Sequence, residues 1–128
     1  MIAISTMGKE AHSLVDNRFG RSEYFVFFNP DNENFTGQEN PFSTESSGAG
    51  VRTAQFLAEK NIDILLTGNV GPKAMQVLNS ASIKVCTGAG GTAKEAVEAF
   101  QAGILKPVDF PSVEANFGRG KFRKGRGF

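Results

Sequence analysis

Three short glycine-rich turns carry the clearest chemistry in this chain: Ser46-Ser47-Gly48-Ala49-Gly50, Thr67-Gly68-Asn69-Val70-Gly71 and Thr87-Gly88-Ala89-Gly90-Gly91-Thr92. Each stands where a helix begins. Each can therefore turn unpaired backbone N–H groups, and the positive end of a helix dipole, toward whatever lies beyond it. Arg52 falls in the first turn of the first such helix and Lys73 just inside the second. That combination suits an anion. The plainer alternative is that the glycines only allow tight turns into the helices. The loop Asp16-Asn17-Arg18-Phe19-Gly20-Arg21 offers two more cations around a Phe-Gly turn. Either Arg18 or Arg21 faces the anion crevice, or both are solvated while Phe19 plugs the core. Cys86 ends a strand on the crevice side. It is either a soft thiolate ligand or a small buried hydrophobe.

Other chemistries find no constellation. The single histidine, His12, sits in a polar loop, and Asp16, Glu23, Asp63, Glu95 and Glu98 are scattered along the chain. General acid–base work needs groups that converge. Gly88-x-Gly90-x-x-Ala93 matches a dinucleotide fingerprint in letters, but it follows the last strand rather than opening a first βαβ unit, and no GxxxxGK[ST] occurs. One cysteine and one histidine cannot build a Cys/His zinc site, nor can a lone cysteine form an internal disulfide. A reduced, cytoplasmic setting is the expectation.

The elements that must position these residues are legible from apolar periodicity. Met1–Ser5 reads as a first strand, Tyr24–Phe28 as an aromatic, β-branched second, and Asn34–Gln38 as a third that closes a hairpin through Asn29-Pro30-Asp31-Asn32-Glu33-Asn34. After residue 50 the pattern alternates. Val51, Ala54, Leu57 and Ala58 mark one helical face, and Ile62–Thr67 is a short strand apolar throughout. Pro72 suits the first turn of a helix ending near Asn79, and Ile83–Thr87 forms another strand. Thr92-Ala93-Lys94-Glu95 is a capping box that opens a helix with Ala93, Ala96, Val97 and Phe100 on one face. This order implies an α/β fold, a three-layer α/β/α sandwich on a parallel sheet with an antiparallel hairpin at one side. Ligands of such sheets bind beyond the carboxyl ends of the strands.

A chain of 128 residues and 13.7 kDa has room for one domain. No apolar run reaches the ~18 residues a membrane helix requires. The net charge of +1 hides an asymmetry. Residues 116–128 hold five basic residues and no acid, which leaves nine basic residues against 13 acidic ones in residues 1–115. The domain is expected over residues 1–105, with a disordered Gly/Arg/Lys-rich tail over 106–128. The tail either keeps the chain soluble or docks it to an acidic surface or polyanion. Phe117, Phe122 and Phe128 are too dispersed to point to RNA.

Taken together, Arg18 through Phe25, Gly48-Ala49-Gly50-Val51-Arg52-Thr53-Ala54, Thr67-Gly68-Asn69-Val70-Gly71-Pro72 and Gly91-Thr92-Ala93-Lys94-Glu95 resemble the dinitrogenase iron–molybdenum cofactor biosynthesis family, which includes NifX, NafY, NifB C-terminal-like and orange-protein-like domains. The resemblance covers residues 1–105 in order and spacing. It implies a ribonuclease-H-like fold with a mixed five-stranded sheet, and a non-enzymatic carrier of an anionic metal–sulfur cluster, such as a molybdenum- or iron-containing sulfide. Cofactor-assembly proteins would be its partners, with no role for a membrane or nucleic acid. Where that family commonly reads His-Phe-Gly, this chain has Arg18-Phe19-Gly20. Charge pairing, or Cys86 as the metal ligand, then replaces a loop histidine. The first strand offers only Ala3 and Ser5 where a nuclease of that fold needs acids to hold Mg²⁺. The expected cofactor-binding residues are Arg18, Arg21, Gly48, Gly50, Arg52, Gly68, Gly71, Gly90, Gly91 and Thr92. The alternative is a metal-free interaction module docking through its basic tail.

Overall fold

The computed structural model describes residues 1–108. Its elements follow the order β1 (Ile2–Thr6), β2 (Tyr24–Asn29), β3 (Asn34–Glu39), α1 (Ala49–Ala58), β4 (Ile64–Leu66), α2 (Pro72–Ser80), β5 (Lys84–Cys86) and α3 (Ala93–Gln101). The strands form one five-stranded sheet in the spatial order β3-β2-β1-β4-β5. β2 pairs antiparallel with both β1 and β3, while β1, β4 and β5 run parallel. The expected mixed sheet and edge hairpin are therefore present. The last two parallel strands are shorter than their apolar runs, because Ile62 and Ile83 enter the core ahead of the ladder.

Alternation along the strands builds two cores. Ala3, Phe25, Phe27, Leu65 and Val85 point to the face covered by α1 and α2, through Ala54, Leu57, Ala74, Met75 and Leu78. Ile2, Ile4, Val26, Phe28, Leu66 and Cys86 point to the other face, which Ala93, Ala96 and Val97 of α3 cover. Sheet residues buried on both faces are what a parallel strand between helix layers requires. α1 and α2 both lead back into the sheet and lie on one face. α3 follows the last strand and takes the opposite face, where its apolar stripe finds the remaining surface.

Two stretches outside the named elements are tied to their neighbours. Residues 7–15 are tied down: Met7 N–H bonds Leu14 O at 2.9 Å, Val15 N–H bonds Gly91 O at 2.9 Å, and Thr6 bridges Val15. Pro107 and Val108, expected in the tail, lie against the sheet. Val108 N–H donates to Val85 O at 2.7 Å and covers the outer edge of β5. The basic run over 116–128 lies outside the described residues. Among those described, no helix is long and apolar enough to cross a membrane.

Candidate functional site

At the carboxyl ends of the parallel strands, a buried polar net fixes the loop that follows β1. Ser5 Oγ donates to Asp16 O at 2.9 Å and shares a hydrogen bond of 2.7 Å with Thr67 Oγ1. Ser22 Oγ accepts from Thr6 N–H at 3.1 Å, and Asn40 Nδ2 donates to Ser22 O at 2.9 Å and to Thr53 Oγ1 at 3.2 Å. All of these side chains are buried, so their mutual bonds replace water. The loop then meets the second glycine turn, where Asn69 N–H donates to Asn17 O at 2.8 Å and Phe19 N–H to Asn69 O at 3.4 Å. A Cβ on Gly68 would stand 2.5 Å from Asn17 Cα, and one on Gly20 would stand 2.7 Å from Gly50 Cα. Those two glycines are needed because backbone passes against backbone there.

The result is a cleft of about 470 Å³ between this loop and the starts of α1 and α2. Phe19, Gly20 and Arg21 form one wall, Gly48 to Val51 a second, and Gly71 to Ala74 a third. Neither helix has a side-chain N-cap or an acid in its first turn. The first intrahelical bonds are Arg52 N–H to Gly48 O and Met75 N–H to Gly71 O. The amides of Ala49, Gly50 and Val51, and those of Lys73 and Ala74, therefore precede the helical ladders. Arg21 and Lys73 line the cleft, and no carboxylate does. This arrangement can hold an anion by backbone donors, dipoles and two cations together.

The structure does not bring all the expected residues to this place. Gly48, Gly50, Gly71 and Arg21 border the cleft, whereas Gly68 lies beneath the loop. The third glycine turn stands apart. All four N-terminal amides of α3 have acceptors: Thr92 N–H bonds Glu95 Oε1, Ala93 N–H bonds Ser13 O, Lys94 N–H bonds Ala11 O, and Glu95 N–H bonds Thr92 Oγ1. Its positive end is already used within the protein. Gly91 and Thr92 thus serve the packing of residues 11–15, on the α3 side of the sheet, and Gly90 stands beside them away from the cleft.

The arginines are also engaged. Arg18 Nε and Nη2 each lie 3.2 Å from the buried carboxylate of Asp16, which raises the arginine's pKa further, by hydrogen bonding first and charge second. Arg21 donates to the carbonyls of Ser43, at 3.4 Å, and Glu45. Arg52 lies outside the cleft lining and pairs with Glu45 at 3.5 Å. Lys73 is exposed and makes no ion pair or hydrogen bond among the described residues. It stands one residue after Pro72, the helix-start signal, which is how the sequence marks it.

Cys86 is fully buried among Ile4, Leu66, Ala89 and Ala93, away from the cleft. Burial raises its thiol to about 11 from an ordinary 9.0. In this structure it is a core hydrophobe, and no group of three His, Cys, Asp or Glu side chains comes together among the described residues to hold a metal. The expected outcome is that a thiol reagent at pH 8 leaves native Cys86 unmodified and labels it only after unfolding; rapid labelling of the native chain would refute this placement. A raised thiol pKa also means the folded state holds its proton longer than the unfolded one. Stability from this group is then lost as pH climbs from 9.0 toward about 11.

A second cleft, about 450 Å³, opens at the opposite end of the sheet beside Asn29, Asn34, Thr36, Gln38 and Asn61. Its border holds one acid, Glu59, next to Lys60.

Comparison with known proteins places the whole described domain. Residues 1–103 match the family model "dinitrogenase iron-molybdenum cofactor". The apo form of the orange protein from Desulfovibrio gigas is 38% identical, with a TM-score of 0.84, covering 87% of this chain and 94% of its own. A Thermotoga protein described as a candidate NifB protein of the DUF35 family is 32% identical, with a TM-score of 0.74 and 97% of each chain covered. A candidate dinitrogenase from Methanocaldococcus jannaschii shares the fold at 17% identity, with a TM-score of 0.64 over 86% of this chain and 95% of its own. A comparison with curated proteins gives no match.

Proposed function

The chain belongs to the dinitrogenase iron-molybdenum cofactor family, and from that premise we propose that it is a non-enzymatic carrier whose cargo is an anionic metal–sulfur cluster or its precursor. A molybdenum- or iron-containing sulfide is the cargo class that the family implies. The observation that carries the proposal is the meeting of two uncapped helix starts, Arg21 and Lys73 in one cleft bordered by no carboxylate. Sulfide clusters of this kind are large, polarisable and negatively charged. Backbone amides and cations suit their outer sulfurs without requiring a side chain on the metal. Val51 and Pro72, one on each helix start, give such an ion apolar surface to displace water from.

The chemistry asked of the protein is retention and release. The cleft supplies donors and charge, and the loop over Asp16–Ser22 is held rigid by its buried net, so the donors are set in place before the cargo arrives. The proposal includes the ribonuclease-H-like label for the fold, supported by the sheet order β3-β2-β1-β4-β5 with its antiparallel hairpin. It also extends to cofactor-assembly proteins as donors and acceptors of the cargo, and to action in the cytoplasm.

The test is direct. The purified chain is mixed with tetrathiomolybdate, with and without copper, and desalted. The expected result is retained metal with a shifted visible absorption band, displaced by high salt. A chain that keeps no metal in either condition overturns the carrier reading.

A further inference from the structure

Glu45 occupies an odd place for a residue beside an anion cleft. It follows Phe42-Ser43-Thr44 in the segment that leads from β3 to α1. Its carboxylate Oε1 lies 3.5 Å from Arg52 Nε, and its carbonyl accepts from Arg21 Nη1. Ser43 O accepts from the same Arg21 atom at 3.4 Å. One short segment therefore engages two of the cations nearest the helix starts, one through main-chain oxygens and one through a carboxylate. Both arginines and Glu45 remain partly open to water: Arg52 is 58% exposed and Glu45 39%. Contacts of this kind are weak and exchange readily for another anion. The rest of the segment is anchored more firmly. Phe42 packs edge-on against Phe56 at 6.3 Å, and Asn40 Oδ1 accepts from Phe42 N–H at 3.1 Å. The segment is thus pinned at its start, and near its end it is held by one turn bond, Glu45 N–H to Phe42 O at 3.2 Å, and by its exposed contacts with the two arginines.

We propose that Glu45 is a resident counter-anion at the rim of the cleft: its carboxylate holds Arg52 just outside the lining, its carbonyl holds Arg21 on it, and a multivalent anion that recruits both arginines must exchange with it. This rests on the reading of the cleft given above and deepens it. A small monovalent anion offers Arg52 no more than the Glu45 carboxylate already does. An anion with two or more charges bonds Arg21 and the helix amides in the cleft, draws Arg52 in from its rim, and so displaces the segment. Glu45 therefore selects for charge, and its release reports loading.

Tetrathiomolybdate, a dianion, is the probe, used with the full chain at low ionic strength. Glu45→Gln is expected to bind it roughly fivefold more tightly, the Coulomb effect of removing one unit charge within a Debye length of a dianion. Glu45→Asp is expected to stay within about twofold of the parent, since it keeps the charge. Glu59→Gln, an identical charge change at the other end of α1, is expected to leave binding unchanged. Amide hydrogen exchange over residues 43–47 should quicken severalfold when the parent chain is loaded, and should already be fast in unloaded Glu45→Gln. Unchanged or weaker binding by Glu45→Gln, an equal gain in Glu59→Gln, or slower exchange at 43–47 on loading would each overturn the proposal. If the parent binds and Lys73→Gln does not, while Glu45→Gln equals the parent, Glu45 alone is misread. If no form binds, the cleft reading falls and this one with it.

Discussion

Gly68→Ala should lower the stability of the chain by about 2–3 kcal/mol and its melting temperature by roughly 8–12 °C. The new Cβ would stand 2.5 Å from Asn17 Cα and 2.8 Å from Asn17 O. These are backbone atoms, so no side-chain rotation relieves the overlap. The loop cannot simply lift, because Asn69 N–H holds Asn17 O and the Ser5–Thr67 bond sits directly behind. What gives is the apposition of the loop to the second turn, and with it the position of Phe19, Gly20 and Arg21 along the cleft. Binding of tetrathiomolybdate should therefore fall together with stability. Gly90→Ala is the internal control: a Cβ there meets nothing within 4 Å, its φ is not in the left-handed region, and it borders no part of the cleft. Thermal unfolding of both variants decides the matter. Equal melting temperatures for Gly68→Ala and the parent would mean the loop is not held as described.

The contrast between these two glycines shows where sequence reading stops. All three glycine turns look alike in letters, and each does precede a helix. Only the fold reveals that α1 and α2 share a face while α3 lies on the other. The capping box of Thr92 and Glu95 is legible and accounts for two of the N–H groups of α3; the other two are taken by Ser13 O and Ala11 O, which only the fold reveals. By contrast, α1 and α2 start at Gly48 and Gly71 without a side-chain cap, which leaves their first amides open to the ligand proposed above.

Charge partners divide in the same way. Asp16 and Arg18 are two residues apart, and Asp16 Oδ1 also accepts Arg18 N–H at 2.9 Å, a local turn that a sequence can suggest. The hold of Glu45 on Arg21 and Arg52 spans separate elements and follows only from the way the 43–47 segment passes the start of α1. Periodicity marked the strands, the edge hairpin and the apolar helix faces, while the strand order and the division into two cores follow from the fold. Cys86 was ambiguous for a physical reason: its place at a strand end puts its backbone near the crevice, but alternation sends its side chain into one helix layer or the other, and here it faces α3.

Lys73→Gln should weaken tetrathiomolybdate binding roughly ten- to hundredfold, the scale of one lost charge-assisted contact, with the larger effect at low salt. The same change should leave the fold as stable or slightly more so. Lys73 stands in the first turn of α2, the positive end of the helix dipole, where a cation opposes the field by a few tenths of a kcal/mol. It gains nothing back within the protein, having no ion pair among the described residues, and its side chain is exposed. A residue that costs stability where it stands, and borders a cleft with two uncapped helix starts, fits the proposed ligand, which would need its charge. Lys73→Arg should retain most of the binding and Lys73→Glu should abolish it. Melting temperature and bound molybdenum, measured on the same four proteins, separate the two effects. Parallel losses of stability and binding would make Lys73 a structural residue, and undiminished binding by Lys73→Glu would place the anion elsewhere.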